Sequence, residues 1–245
     1  MTVQITEVLK RATQGMTRPF ICRGDDKNIY FVKGIGATRQ SQVYEWVAGN
    51  LGLALGLPIA PFEIVEIPEE LIEIEIGLDF QQLGSGPAFG SLKQTITELN
   101  YAGIDEIPAQ VQSDVLAFDW WIRNSDRNLT AKGGNPNLFW QPEGQKLVIF
   151  DHNQAFDSGF IKKEFLRFHA FNNNIFQIVI GDCALRQEYV KRFAKVLENW
   201  QSICASIPEE WYYIDKEMTV EADVNIAGML EILQLYQREE FWVQQ

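Results

Sequence analysis

The sequence has few of the residues that build zinc sites and disulfide frameworks. Only three of its 245 residues are Cys and two are His. The cysteines, Cys22, Cys183 and Cys204, are odd in number and far apart, so they match no zinc-ligand spacing and no disulfide pattern. We therefore expect buried thiols in a reducing compartment.

Positive charge and long apolar runs are also scarce. The 21 Lys and Arg residues are outnumbered by 33 Asp and Glu residues, which gives a net charge of −12. This balance repels phosphate backbones and argues against direct binding of nucleic acid or of anionic lipid. No apolar stretch approaches the roughly 20 residues that cross a bilayer, and the first ten residues lack the apolar block of a signal peptide. We expect a cytoplasmic protein that binds neither nucleic acid nor membranes.

Hydrophobic residues make up 46% of the chain, enough for a large core. Val3–Leu9 alternates in a way that fits a strand or a short helix, and the turn residues after Cys22 predict a hairpin that continues into Ile29–Lys33. Ile59–Ile67 predicts a strand, and a less regular acidic segment with a loop at Gly84–Pro87 follows Pro68. Helices are predicted at Val43–Leu55, Val111–Ile122, Leu185–Ala205 and Ile226–Phe241. A β-rich first quarter with one helix and a helical remainder with one hairpin indicate the α+β class.

That later hairpin brings two oxygen-bearing side chains together. The apolar runs Leu138–Trp140 and Leu147–Phe150 flank a turn-rich stretch. With Glu143-Gly144 at the tip, Asn137 enters the first strand at the same open end at which Asp151 leaves the second. Carboxylate and amide oxygens suit a hard cation such as Mg²⁺. The alternative is that both residues only cap the strands.

A third acidic residue, Asp126, follows the predicted helix Val111–Ile122 in a polar loop. Phosphoryl transfer needs a carboxylate that orients the attacking hydroxyl and accepts its proton, held apart from the metal ligands. The alternative is an Asp that caps a local turn. Arg127 would either neutralise charge on the transferred group or pair with an acidic neighbour.

The first quarter contains a matching pair. Lys33 ends an apolar strand, and Glu45 lies in the helix that follows. A Lys that binds the α- and β-phosphates and is held by a helix carboxylate is a recurrent way to position ATP. Between two apolar segments, Gly15-Met16-Thr17-Arg18 would expose backbone N–H groups to phosphate, although it matches no glycine-rich phosphate-loop pattern.

In this order, these residues make the chain resemble the HipA-like kinases, and most closely the compact subgroup without the extra N-terminal subdomain of the toxin kinases. The matching stretches are Tyr30-Phe31-Val32-Lys33, Glu45-Trp46-Val47-Ala48, Leu55-Gly56-Leu57-Pro58, Phe89-Gly90-Ser91, Asp126-Arg127-Asn128, Asn135-Pro136-Asn137-Leu138 and Ile149-Phe150-Asp151-His152. They span about three fifths of the chain, and the late blocks are the most specific.

The resemblance implies a bilobal protein-kinase-like fold, with a β-rich ATP-binding N-lobe at 1–68 and a helical catalytic C-lobe at 69–245. It implies ATP and Mg²⁺ as cofactors, and the backbone near Glu66-Ile67-Pro68 is the expected hinge. The implied roles are Lys33 on phosphate with Glu45 as its partner, Asp126 as the base, and Asn137 and Asp151 as metal ligands; Thr17 and Arg18 belong to the expected phosphate loop. Because the spacing from Asp126 to Asn137 is longer than in the toxin kinases, Asn128 and Asn135 are alternative ligands.

The activity that the resemblance implies is phosphorylation of Ser or Thr on a protein substrate, and an antitoxin-like or regulatory partner is a further expectation. One alternative is a nucleotide-binding pseudokinase without turnover, suggested by the irregular phosphate loop and by His152-Asn153 after the metal Asp. The other is a small-molecule kinase or an AMP transferase on the same fold.

Overall fold

A computed structural model describes residues 2–13, 17–74, 80–141, 146–171 and 181–243. The mixed α/β composition that the sequence predicts is confirmed. The strands are β1 (Val3–Arg11), β2 (Phe20–Gly24), β3 (Ile29–Lys33), β4 (Phe62–Ile67), β5 (Gly86–Leu92), β6 (Thr97–Glu98), β7 (Asn128–Thr130), β8 (Gly133–Asn135), β9 (Leu138–Gln141) and β10 (Lys146–Ile149). The α-helices are α1 (Arg39–Ala54), α2 (Glu69–Ile74), α3 (Ala109–Trp121), α4 (Lys162–Phe168), α5 (Cys183–Leu197), α6 (Trp200–Ala205) and α7 (Ile226–Gln234). Short 3₁₀ helices lie at Ile35–Ala37, Phe80–Gln82, Tyr101–Glu106, Glu209–Tyr212, Leu235–Gln237 and Glu239–Trp242.

The chain folds into two compact units, each made of separate stretches of sequence. Unit 1 comprises Met1–Trp46, Ala60–Gln94 and Ser206–Val224, and unit 2 comprises Val47–Ile59, Thr95–Ala205 and Asn225–Gln245. The lobe boundary that the sequence predicts after Pro68 stays a prediction.

Unit 1 is built on a closed barrel with the strand order β1-β2-β3-β5-β4. Parallel pairing of β1 with β4, with Val3 opposite Val65, closes the barrel. Of the two structures that the sequence allowed for the N-terminal segment, the strand is the observed one. The barrel interior is apolar and consists of Ile5, Val8, Phe20, Cys22, Tyr30, Val32, Val65, Ile67, Phe80, Leu83 and Ala88. The alternation of buried and less buried residues along β2 is the period of two expected for a strand with one face in the core.

The barrel contains one predicted hairpin and one strand that the sequence did not indicate. The hairpin of β2 and β3 is confirmed, with Cys22 opposite Tyr30. The loop predicted at Gly84–Pro87 is wrong at its second half, because β5 begins at Gly86 and lies between β3 and β4. Because glycine and proline are poor strand formers, the sequence of β5 gives no strand signal. Gly90 is nevertheless required there, since a Cβ atom would lie 2.7 Å from a methyl carbon of Val65.

Residues Ser206–Val224, far along the chain, complete unit 1. Trp211 is fully buried, and its indole N–H donates to the carbonyl oxygen of Pro87 at 2.8 Å. The Trp211 ring packs edge-on against Trp46 with centroids 6.4 Å apart. The Tyr213 carbonyl accepts a hydrogen bond from Arg39 at 3.2 Å. The segment is therefore attached both to β5 and to the first half of α1.

The helix α1 confirms its predicted apolar stripe, although it begins four residues earlier than predicted. Val43, Val47 and Leu51 are fully buried. Gly56, which the sequence marked as the helix end, has a φ of +85°. The N–H of Leu57 then bonds back into the last turn, so the end is a Schellman motif.

The core of unit 2 surrounds α3, whose second half has no exposed face. Trp121 stacks on Phe193 with ring centroids 4.1 Å apart. Its indole N–H donates to the carbonyl of Leu233 at 2.8 Å, and the indole of Trp120 donates to the carbonyl of Phe241 at 3.0 Å. Both tryptophans are therefore core residues of unit 2.

The hairpin of β9 and β10 has the predicted register. Leu138 pairs with Ile149 and Gln141 with Lys146, although the tip itself, at 142–145, lies outside the described residues. A second hairpin, β7 with β8, precedes it and was not predicted. Its strands are three residues long and rich in glycine and asparagine, so they carry no apolar alternation.

Two predicted helices are shorter than their apolar patterns. The helix predicted over Leu185–Ala205 is two helices, α5 and α6, because a turn at 198–199 separates them. The helix predicted over Ile226–Phe241 ends as α7 at Gln234 and continues in two 3₁₀ turns. Apolar periodicity persists across these interruptions because both flanking pieces contribute buried residues to one core.

The scarcity of cysteine and of long apolar runs led to two expectations, on the thiols and on membrane-spanning helices. The thiol of Cys22 is buried as expected, but Cys183 is exposed and Cys204 half-buried, so the expectation is wrong for Cys183. Cys183 opens α5, and its side chain faces solvent at that first turn. Over the described part of the chain, no helix combines the length and the apolar character that a bilayer crossing requires.

Candidate active site

The first group of predicted site residues lies in unit 1, where β3 meets α1. The ammonium of Lys33 forms an ion pair with the carboxylate of Glu45, and only 10% and 3% of the two side chains are exposed. The side chain of Gln42, also in α1, donates to the carbonyl oxygen of Lys33 at 2.5 Å. A Lys at a strand end is normally solvated, whereas α1 here fixes both the backbone and the charge of Lys33.

The positions of the other residues predicted to bind ATP do not by themselves indicate a contact with a ligand. Thr17 and Arg18 precede β2 and are separated from it by Pro19, and Gly15 and Met16 lie outside the described residues. Glu66 and Ile67 end β4. The Ile67 side chain is buried in the barrel core, and burial raises the pKa of Glu66 above its usual range. Ligand roles for these residues stay predictions.

In unit 2, the end of α3 delivers the loop that contains Asp126. The N–H of Asn124 bonds to the carbonyl of Asp119 at 2.8 Å, and the N–H of Arg123 bonds to that of Trp120 at 3.4 Å. This is a Schellman motif in which Arg123, with a φ of +53°, occupies the position usually taken by glycine. The side-chain oxygen of Asn124 then accepts a bond from the N–H of Asp126 at 3.4 Å. The turn out of α3 is therefore fixed on both sides of Asn124.

The carboxylate of Asp126 collects side chains from the two hairpins that follow. Its Oδ2 atom accepts hydrogen bonds from Nδ2 of Asn135 at 3.0 Å and from Nδ2 of Asn137 at 3.2 Å. Asn135 ends β8, and Asn137 directly precedes β9. The unpredicted hairpin of β7 and β8 thus contributes one of the two donors.

Asn137 and Asp151 lie at the same open end of the β9–β10 hairpin, as predicted. Both have positive φ angles, +48° and +63°, which cost a residue with a side chain roughly 1–2 kcal/mol and are best tolerated by Asn and Asp. Backbone strain of this kind is concentrated at functional sites. The structure therefore brings Asp126, Asn137 and Asp151 together within unit 2.

The surroundings of Asp126 change its acidity. Burial raises the pKa of Asp126 above its usual range, and the negative charge of Asp151 raises it further. The amide donors of Asn137 and Asn135 favour the charged form and oppose the rise only in part. A carboxylate with a raised pKa is better matched to accepting a proton near neutral pH.

The three asparagines considered as metal ligands differ in what their amides contact. Asn128 uses its amide for the backbone, since Nδ2 donates to the carbonyl of Asp126 at 3.2 Å and Oδ1 accepts from the N–H of Asn135 at 3.1 Å. This role braces the loop and disfavours Asn128 as a ligand. Asn135 is exposed, whereas Asn137 is 7% exposed and held beside both acidic residues.

Asp119 is a buried acidic residue that was not singled out in the sequence. Its hydrogen-bond partners connect it to the acidic cluster, by which we mean Asp126, Asn137 and Asp151. It is fully buried in α3 and accepts hydrogen bonds from Asn124 at 2.9 Å, from Arg127 at 2.6 Å and from His169 at 2.9 Å. Burial alone would raise the pKa of Asp119, but the charge of Arg127 and the His169 bond hold it well below its usual range. The one available signal was its position, an acidic residue between Phe118 and Trp120, because a charge buried there requires partners.

Arg127 takes the second of its two predicted alternatives, the pairing with an acidic neighbour. Its side chain is fully buried against Asp119. Its Nη1 atom also donates to the carbonyl oxygens of Pro136 at 3.3 Å and Asn137 at 3.0 Å. Arg127 therefore connects α3 with the entry of β9.

Both histidines of the chain, His152 and His169, are buried in this region. The N–H of Phe171 donates to Nδ1 of His169, so the proton of His169 lies on Nε2 and is donated to Asp119. Burial lowers the pKa of His169, which favours this neutral form. Arg127 donates to Nε2 of His152 at 3.2 Å, so His152 accepts there. These contacts give both histidines a role in holding the buried network together.

The acidic cluster of Asp126, Asn137 and Asp151 has the composition of a Mg²⁺ site whose remaining coordination positions are filled by a bound ligand. In the described ranges, no three His, Cys, Asp or Glu side chains converge to hold a metal by themselves. Mg²⁺ characteristically takes one or two protein carboxylates and completes its shell with water and phosphate oxygens. The carboxylate of Asp151 and the amide oxygen of Asn137 fit that need.

Comparison with known proteins adds an independent result. No curated protein matches this chain. A solved structure, of a Helicobacter pylori proinflammatory kinase named CtkA, aligns with a TM-score of 0.48 at 12% identity, over 98% of this chain and 95% of that chain. The family described as HipA-like kinase matches residues 5–245, nearly the whole sequence. The chain therefore belongs to the HipA-like kinase family.

Proposed function

We propose that this protein transfers the γ-phosphate of Mg²⁺-ATP to a Ser or Thr hydroxyl of a protein substrate. Membership of the HipA-like kinase family supports phosphotransfer as the class of reaction. The observation that carries the proposal is the convergence of Asp126, Asn137 and Asp151 in unit 2. The bilobal protein-kinase-like fold is part of the same proposal.

The proposed base is Asp126. Its carboxylate would accept a hydrogen bond from the acceptor hydroxyl and take the proton as the oxygen attacks the γ-phosphorus and the bond to ADP breaks. The pKa, raised by burial and by Asp151, favours this proton transfer. The amides of Asn135 and Asn137 fix the orientation of the carboxylate through Oδ2.

The other residues would hold the nucleotide. Asn137 and Asp151 are proposed to bind Mg²⁺, which when bound neutralises charge on the β- and γ-phosphate oxygens. Lys33 is proposed to contact the α- and β-phosphates, with Glu45 keeping its ammonium in place. Thr17 and Arg18 stay proposed phosphate contacts, and Glu66 and Ile67 stay proposed hinge residues.

Substitution of the proposed base tests the assignment. Asp126→Asn keeps the size and the polar contacts of the side chain but cannot accept the proton. We expect phosphate transfer to fall by at least about 100-fold, while the thermal shift caused by Mg²⁺-ATP is retained. Asp151→Asn should lose both. Turnover at the wild-type rate in Asp126→Asn would remove Asp126 as the base.

The alternative activities differ in what they add to the acceptor. Incubation with ATP and Mg²⁺ followed by intact mass measurement of the protein and its acceptor gives one phosphate for a kinase and one AMP for an AMP transferase. A pseudokinase gives a thermal shift with ATP and no added mass. Phosphate on a small molecule and none on any protein would replace the proposed substrate class.

A further inference from the structure

The buried carboxylate of Asp119 contacts residues on both sides of the proposed base. Asn124, two residues before Asp126, donates to Oδ1 of Asp119 at 2.9 Å. Its own side-chain oxygen accepts from the N–H of Asp126 at 3.4 Å. Arg127, the residue after Asp126, donates to Oδ2 of Asp119 at 2.6 Å and to Oδ1 at 3.4 Å.

A second branch of the same network reaches the proposed metal ligand. While Nε and Nη2 of Arg127 face Asp119, Nη1 donates to the carbonyl oxygen of Asn137 at 3.0 Å. This bond acts on a residue whose positive φ must be maintained against strain. One carboxylate is thus linked through two side chains to Asp126 on one branch and to Asn137 on the other.

We propose that Asp119 is a positioning residue for phosphoryl transfer, and this inference rests on the function proposed above. A buried ion pair is poorly explained by stability alone, because well-packed apolar residues often serve as well. Phosphoryl transfer, by contrast, depends on placement, and a displacement of about 1 Å can cost on the order of 100-fold in rate. Through these contacts, Asp119 fixes the position of the proposed base, Asp126, relative to the proposed metal ligand, Asn137, without contacting the substrate.

The two branches of the network predict two different kinetic defects. Asn124→Ala removes the branch to Asp126, and we expect kcat to fall about 10- to 100-fold with an unchanged KM for ATP. Arg127→Lys keeps the positive charge beside Asp119 but cannot also donate to the Asn137 carbonyl, since Lys lacks the fork of Arg. We expect a similar fall in kcat together with a several-fold higher Mg²⁺ concentration for half-maximal rate. These milder changes are preferred to Asp119→Asn, which leaves Arg127 short of acceptors and endangers folding.

A matched control is available at Arg192 of α5. Arg192 forms an ion pair with Asp114 of α3 at 2.5 Å, so Arg192→Lys makes the same chemical change away from the cluster and should leave kcat and the Mg²⁺ dependence at wild-type values. If Asn124→Ala and Arg127→Lys match wild type, or lose rate only in proportion to their unfolded fraction, the positioning role is overturned and the proposed function stands. If the wild-type protein neither binds Mg²⁺-ATP nor transfers phosphate, both are overturned.

Discussion

At the scale of single residues, Asn137 combines a strained backbone with a side-chain amide that is proposed to bind the metal, and two substitutions separate these features. Asn137→Gly and Asn137→Ala both remove the amide, but only glycine adopts a φ of +48° without strain. We expect the Gly variant to be more stable than the Ala variant by about 1 kcal/mol, as measured by urea denaturation. Both should lose the Mg²⁺-dependent part of the ATP thermal shift. An Ala variant that retains that shift would assign the ligand role to another residue.

The pH dependence of the reaction should report the carboxyl of Asp126. Because burial and Asp151 raise its pKa above the ordinary 3.8, and because the base must be ionised, kcat/KM should decline on the acid side at a pH above that value. Asn135→Ala removes a donor that favours the charged form, so its acid limb should lie at still higher pH. A pH–rate profile measures this, with Asn100→Ala, in the cap of a 3₁₀ helix, as the control. Coincident limbs in the three proteins would contradict the assignment.

Residues that act alone and residues that act through others were not equally visible in the sequence. Asp126, Asn137 and Asp151 could be proposed from the sequence because polar residues at the ends of apolar elements stand out. Asp119 was missed because its partners, among them Arg127 and His169, are separated from it along the chain by up to 50 positions. Only the fold brings such partners together.

At the scale of elements, α1 and α3 end in the same motif with different residues. In both, the residue after the C-cap has a positive φ, and the N–H of the following residue bonds back to the helix. Gly56 fills this position after α1 and Arg123 after α3. We expect Arg123→Gly to stabilise the protein by about 0.5–1 kcal/mol and Gly56→Ala to destabilise it by about 1 kcal/mol. A shift of the same sign in both melting temperatures would contradict the strain argument.

Sequence periodicity predicted the elements that pack against partners close to them along the chain. The register of β9 and β10 came from apolar runs on either side of one turn, and the structure has that register. The strand β5 was missed because its residues are glycine- and proline-rich, and its place between β3 and β4 depends on partners from both sides of α1. Gly90 is needed there because the Val65 side chain packs against its backbone, and strand propensity gives no sign of this.

At the scale of the whole molecule, Trp211 joins a late stretch of the chain to the rest of unit 1. It is fully buried, bonds to Pro87 and contacts Trp46, although it lies more than 100 residues further along the chain than either. We expect Trp211→Ala to lower the free energy of unfolding by about 3–5 kcal/mol, as measured by urea denaturation. Trp140→Ala, at a half-buried position of unit 2, is the control and should cost clearly less. A loss for Trp211→Ala that is no larger than the loss for Trp140→Ala would contradict this role of Trp211.

The order of the stretches in unit 1 has a consequence for synthesis on the ribosome. Domains commonly fold from the N-terminus as the chain emerges, but unit 1 takes its third stretch, Ser206–Val224, from near the end of the sequence. The five barrel strands are therefore synthesised by Leu92, but unit 1 stays without its third stretch while most of unit 2 is translated. A nascent or truncated chain that stops before Ser206 would expose the surface that Trp211 covers, so we expect unit 1 to be less stable in such a fragment than in the full chain.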